Sequence, residues 1–299
     1  MQPAGVFPPI TTPFKDGNLD TAAARANARR WMTTRLSGLV ALGTNGEAPY
    51  VDEDEAETFV AAIREEVPRG RLLIAGTGRD STRATIAATA RAARAGADAA
   101  LVRMPAFFKP QMSTAALIDH FTAVAEASPV PVLLYNFPGA FGVDLAIQAV
   151  ERLSEHRNIV GIKESGGDLA KIAEDVARMS ALRRSFAVLC GSAPILHAAV
   201  VSGAAGGILA VACVVPELVV ELFELARAGR HDEARVLQQR LTPLARSVTS
   251  VYGVPGLKAA LDLAGYAGGP PRAPLAPATQ EAVGVIKGQL AGLGIAVAA

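Results

Sequence analysis

The chain has 299 residues, 51% of them hydrophobic and 19% charged, with a formal net charge of +1. That is enough apolar material to bury a sizeable core, so disorder is excluded, and the length suits one large domain or two small ones. The near-zero charge, with no basic stretch, excludes an electrostatic nucleic-acid footprint, and no apolar run reaches the roughly 18 residues of a membrane helix.

Cys190 and Cys213 have no partnering pattern, so free thiols and a reducing, cytoplasmic setting are expected. The opening "MQPAGVFPPI" lacks the basic-then-apolar layout of a signal peptide.

Along the chain, short apolar runs alternate with longer segments of helical period. "GVFPPITTPF" is the first expected strand, followed by a helix over 21–36 capped by Asp20 or Thr21. "GLVALGTNG" is the second strand with its loop. The helix over 52–66 opens on Asp52, Glu53, Asp54 and Glu55, where the macrodipole favours negative charge. "RLLIAGTG" precedes a helix near 81–95, "ADAALVRMP" one near 113–127, and "VPVLLYNFP" one near 144–153. "NIVGIKES" precedes a helix near 168–179, "SFAVLCGS" one near 193–202, and "GGILAVA" one near 216–228. Eight strand–helix units predict a parallel (β/α)8 TIM barrel over 1–228. Only helical patterns follow, near 231–249, 254–265 and 277–293. They predict a C-terminal helical appendage over 229–299, packed on the barrel.

Barrels place their chemistry at the C-terminal ends of the strands. Those ends carry Thr11 and Thr12; "GTNGE"; "GTGRD"; "MPAFFKP"; Tyr135 and Asn136; Lys163; "CGS"; and Leu209 and Ala210. No His, Asp and Glu cluster with ligand spacing is present, so no metal is expected. "GTGRDS" lacks the last glycine of a dinucleotide fingerprint.

Lys163 stands out because four mostly apolar strand residues precede it. Desolvation disfavours an ammonium there, and a neutral amine can attack a carbonyl to form a Schiff base. Tyr135, ending the adjacent strand, could carry the protons such chemistry needs. In "GTNGE", backbone N–H groups with Thr44 and Asn45 suit a carboxylate. A structural ion pair for Lys163, and an ordinary turn for "GTNGE", remain the rival readings of the pattern.

From "PPITTPF" to "RAPL" the sequence resembles the dihydrodipicolinate synthase and N-acetylneuraminate lyase superfamily of class I aldolases. "GTNGE" is similar to its carboxylate-binding loop, "YNFP" to its tyrosine segment and "GIKES" to its Schiff-base segment. Within it, "IVGIKESGGD", "YGVPGLK" and "GYAGGPPRAPL" most resemble 4-hydroxy-2-oxoglutarate aldolases, which cleave their substrate to pyruvate and glyoxylate. The resemblance implies that Lys163 forms the imine with no other cofactor and that Tyr135 and Thr44 relay protons. It implies that Thr44 and Asn45 hold the carboxylate of a 2-oxo acid, that Ser165 lies near the distal substrate end, and that Gly191 and Leu209 line the pocket. It also implies a homotetramer built from dimers. Two positions depart from the pattern. Ala140 stands where the synthase carries an arginine for a second carboxylate. Phe107 stands where a tyrosine completes a Thr–Tyr–Tyr relay; its phenyl ring cannot pass a proton and is expected to contact substrate at an apolar pocket mouth. The alternatives are a dehydratase or aldolase for 2-keto-3-deoxy sugar acids, and a low-activity barrel that binds 2-oxo acids.

Overall fold

A computed structural model describes residues 2–297. Residue 1 of the expected barrel stretch, and residues 298 and 299 of the expected appendage, lie outside the described residues. Each expected apolar run contains a strand: β1 (Gly5–Phe7), β2 (Gly38–Ala41), β3 (Leu72–Gly76), β4 (Ala99–Arg103), β5 (Val132–Asn136), β6 (Ile159–Glu164), β7 (Ala187–Cys190) and β8 (Gly206–Ile208). They are buried almost throughout, as a sheet covered on both faces requires.

All pairings are parallel, in the order β1-β8-β7-β6-β5-β4-β3-β2. Between β1 and β2 the ring closes through a parallel bridge from Pro9 to Val40. There Val40 N–H donates to Pro8 O (3.0 Å) and Ile10 N–H to Val40 O (2.9 Å). Pro8 and Pro9 have no N–H to give, so the ladder stays short at this seam. The fold is a (β/α)8 TIM barrel.

The outer layer is α1 (Thr21–Met32), α2 (Glu53–Glu66), α3 (Thr82–Arg94), α4 (Thr114–Ala127), α5 (Ile147–Leu153), α6 (Leu169–Ala181), α7 (Leu196–Val201) and α8 (Pro216–Arg227). Side-chain caps fix many starts: Asp20 on α1, a reciprocal Asp52–Glu55 box on α2, Ser81 on α3, Ser113 on α4 and Asp168 on α6. α1 stops four residues short of its expected end, where the hydroxyls of Thr33 and Thr34 bond back to Arg30 O and Trp31 O. After β5 a single turn, Pro138–Phe141, ends on Gly142 at φ 66° before α5 begins. An unexpected hairpin pairs Phe14–Lys15 with Asn18–Leu19 through Asp16 and Gly17, both at positive φ. The "DG" dipeptide is the sequence signal for that turn.

Three further helices follow, α9 (His231–Arg246), α10 (Gly253–Leu263) and α11 (Gln280–Gly292). α9 packs on α7 and α8, and α11 on α10. Trp31 of α1 is tied to the closing side of the barrel by a bond from its Nε1 to Cys213 O (2.8 Å). It also stacks on Tyr266, beyond α10, at 5.3 Å.

Behind β6 lies a buried acidic pair. Asp175 of α6 is 0% exposed, and neither of its oxygens has a hydrogen-bond partner among the described residues. Burial first, and then the Glu164 carboxylate, push its pKa up to about 7, with Lys171 opposing and Glu174 and Asp144 adding to the rise. Burial also raises Glu164, against hydrogen bonds from Asn136. A carboxyl with a raised folded pKa binds its proton more tightly folded than unfolded. Stability is therefore highest below an unfolded pKa of about 4 and falls as pH climbs from there to about 7. The loss at Asp175 is on the order of 4 kcal/mol. Urea midpoints at pH 5 and pH 8 should show this decline in the wild type and a flatter profile in Asp175→Asn; equal slopes would contradict it.

Candidate active site

Alternation along β6 sends Lys163 into the barrel and Glu164 outward, although they are neighbours in the chain. Lys163 is only 5% exposed, and its register partner across the ladder is Tyr135 of β5. Lys163 Nζ lies 4.2 Å from the centroid of the Tyr135 ring. Among the described residues it has no carboxylate within ion-pair distance, so the structural ion pair considered for it is not formed. Glu164 is instead held on the far face by Asn136 Nδ2, at 2.8 and 3.0 Å. The other end of the Asn136 amide is held too, its Oδ1 accepting from Leu145 N–H (3.0 Å).

Tyr135 itself is packed edge-to-face on Phe141 (5.3 Å) and stacked with Phe137 (6.3 Å). Its hydroxyl reaches Thr44 Oγ1 at 3.1 Å, so Lys163, Tyr135 and Thr44 follow one another across the rim. Asn45 sits half-buried beside Thr44 in the 3-10 turn Thr44–Gly46. A second predicted group also comes together. Ser165 follows β6 with its Oγ buried and unpartnered, facing Gly191 after β7. A Cβ on Gly191 would stand 1.9 Å from that oxygen, so only glycine leaves Ser165 its place. Leu209, fully buried, follows β8 and donates its N–H to Phe7 O (2.9 Å).

The "GTNGE" loop is fixed from below by its own last residue. Glu47 adopts φ 54° and turns its carboxylate into the protein interior. There Lys258 of α10 pairs with it at 2.6 Å and donates to Thr12 O (2.8 Å) and Pro270 O (2.9 Å). Arg272 N–H donates to the other Glu47 oxygen (2.8 Å), while its guanidinium pairs with Glu55. The C-terminal helices thus hold the loop that presents Thr44.

A cavity of about 430 Å³ opens beside Thr44 and Tyr135. Its wall includes Phe107, Ala140 and Phe141, but not Lys163, Asn45, Ser165, Gly191 or Leu209. Phe107 is 77% exposed at the mouth, edge-to-face with Phe108 at 5.0 Å. The wall also carries Asp80 and Arg103, neither singled out from the sequence.

Among the described residues, no group of three or more His, Cys, Asp and Glu side chains is placed to hold a metal. His120 is buried against Thr82 (2.9 Å), and burial lowers its pKa to about 4. His197 and His231 meet at 3.3 Å on the surface, a contact their sequence spacing did not suggest. No helix among the described residues is long and apolar enough to cross a membrane.

The dihydrodipicolinate synthetase family model matches residues 2–290, and the chain belongs to that family. It is 39% identical to a 4-hydroxy-tetrahydrodipicolinate synthase of Methanothrix thermoacetophila, over 93% of this chain and 92% of that one. It is 37% identical to a probable mitochondrial 4-hydroxy-2-oxoglutarate aldolase of Emericella nidulans, over 93% and 91%. Its fold matches the dihydrodipicolinate synthase of Acinetobacter baumannii, solved in complex with pyruvate, with a TM-score of 0.91. That match covers 98% of this chain and 99% of the other at 32% identity.

Removing one partner of a buried ion pair leaves an uncompensated charge, at a cost of about 3–5 kcal/mol. Lys258→Met should therefore lower the thermal midpoint strongly, while Lys258→Met with Glu47→Gln recovers a large part of the loss. Equal destabilisation of the single and double variants, by calorimetry, would show that the pair does not carry the coupling.

Proposed function

We propose that this member of the family is a pyruvate-using, Schiff-base-forming class I aldolase. On this reading it cleaves or forms a 4-hydroxy-2-oxo acid such as 4-hydroxy-2-oxoglutarate. The observation that carries the reading is the buried Lys163 amine facing the Tyr135 ring, with the Tyr135 hydroxyl bonded to Thr44. The family likeness to both a synthase and an aldolase, and a fold neighbour solved with pyruvate, support it.

The steps follow from those groups. The Lys163 amine adds to the keto carbon of a 2-oxo acid, and Tyr135 moves the protons needed to expel water and leave an iminium. The iminium withdraws electrons. In cleavage the C3–C4 bond breaks as the 4-hydroxyl gives up its proton, leaving an enamine on Lys163 and a free aldehyde. Protonation at C3 and hydrolysis then release pyruvate and restore the amine. Thr44 and Asn45 hold the 2-oxo acid's carboxylate at the loop, and Ser165, Gly191 and Leu209 shape the pocket on the Lys163 side. Thr44 joins Tyr135 in the relay. Phe107 supplies no proton to it, so the Thr44–Tyr135 pair carries the relay with water. The working form is a homotetramer built as a dimer of dimers, in which a partner covers the exposed Phe107 and Phe108 rings. Ala140 in place of the synthase arginine argues against condensation with aspartate semialdehyde.

Pyruvate release from 4-hydroxy-2-oxoglutarate, 2-keto-3-deoxy sugar acids and N-acetylneuraminate tests the reading. The first should turn over best. Lys163→Ala should abolish turnover, and Tyr135→Phe should cut kcat by roughly 10²–10⁴-fold. Faster release from a sugar acid would move the substrate to that class, and no release from any of them would sink the aldolase reading. Phe107→Tyr should raise turnover; an unchanged or lower rate would show that the missing hydroxyl does not limit the reaction.

A further inference from the structure

We infer that Arg103 is the specificity-determining cation of the site, binding a carboxylate on the aldehyde half of the substrate. The inference rests on the aldolase reading above and deepens it. Arg103 ends β4 in register with Tyr135, which is in register with Lys163 on the next strand. The three residues form a row along the catalytic rim, with strands about 4.8 Å apart. Among the described residues, Arg103 is the one cation on the wall of the cavity, and the wall around it is otherwise mostly apolar, including Leu101, Ala106, Ala140 and Phe141.

Several neighbours fix the Arg103 side chain. Its side chain lies over Gly78, where a Cβ would come within 2.5 Å of Arg103 Cγ and of Arg103 N, so no other residue fits beneath it. Its guanidinium carbon stands 5.8 Å from the centre of the Phe141 ring. Asp80 takes the outer edge of the fork, at 3.3 Å from Nη1 and 3.1 Å from Nη2, and Nη1 also donates to Met104 O (2.9 Å). The two Asp80 contacts are longer than the roughly 2.7–2.9 Å of a tight charge-assisted bond. Asp80's shortest contact is to Ala106 N–H (2.8 Å), so it anchors the Phe107 loop and orients Arg103 without saturating it. Arginine has five N–H donors. Among the described residues the Nε–H and the second Nη2–H have no acceptor, and together they are the side edge that grips a carboxylate in bidentate fashion.

Ala140 shares this cavity wall. The family's synthase places its second-carboxylate arginine at that position; here the charge enters from the neighbouring strand instead. A short aldehyde acid, glyoxylate among them, is the class of partner that this arrangement selects over a neutral aldehyde.

The test measures condensation of pyruvate with glyoxylate and with propionaldehyde in wild type, Arg103→Met and Arg103→Lys. Exchange of pyruvate methyl protons in D₂O, followed by NMR, reports the Lys163 enamine separately. Arg103→Met should lower the ratio of kcat/KM for glyoxylate over propionaldehyde by about a hundredfold, the loss typical of a buried charge contact, while still exchanging pyruvate protons. Arg103→Lys, which keeps the charge but not the fork, should fall between. An unchanged ratio in both variants overturns the inference. So does loss of exchange together with both aldehydes in both variants, which would make Arg103 a structural residue. A ratio that instead tracks hydroxyl groups, with glyceraldehyde affected as strongly as glyoxylate, also overturns it. Absence of exchange in the wild type sinks the imine reading, and this inference with it.

Discussion

A lysine amine inside a barrel, with an aromatic face for company and no counter-ion among the described residues, is the constraint around which this molecule is arranged. Burying a charge costs several kcal/mol unless it is paired, and a cation over a tyrosine ring recovers only about 0.5–2 kcal/mol. The adjacent carboxylate, Glu164, is one residue away in sequence. The β pleat turns it outward, where Asn136 occupies both its oxygens. The consequence appears behind β6. Glu164 and Asp175 are both buried there, and both are held above the usual carboxylate range. The acid that could have quenched Lys163 is kept on the other side of the strand, at a cost in stability at high pH.

The second structural demand is placement of the Thr44 hydroxyl against Tyr135. A turn of this kind has little rigidity of its own. It gains rigidity from Glu47, whose left-handed backbone aims the carboxylate inward to Lys258. Lys258 in turn binds the carbonyl of Thr12, at the exit of β1, and that of Pro270, beyond α10. Arg272 joins the same knot through Glu47, Glu55 and the Gly17 and Tyr50 carbonyls. The C-terminal helices are therefore more than a cover for apolar barrel surface. They transmit their own packing to the loop that presents Thr44.

Much of this was legible in the sequence, and the reason is physical. Parallel strands buried on both faces must be apolar throughout, so a charged residue ending such a strand is conspicuous; that rule exposed Lys163 in "IVGIKE". Applied with equal rigour it would also have exposed Arg103 in "AALVR", which is the same kind of irregularity on β4. The hairpin at Asp16 and Gly17 was missed despite its dipeptide, because strands of two residues leave no periodic pattern. The Glu47–Lys258 pair joins residues more than two hundred positions apart, and no local pattern can announce it. The ends of α1 and of the segment after β5 depended on threonine back-bonds and on Gly142, which a periodicity argument does not weigh.

Covalent chemistry at Lys163 is open to borohydride trapping. The protein is incubated with pyruvate, reduced, and read by intact mass and peptide mapping. One stoichiometric pyruvyl adduct is expected, on the peptide that holds Lys163, lost in Lys163→Ala. No adduct, or an adduct on Lys15, Lys109 or another lysine with Lys163 unmodified, would contradict it.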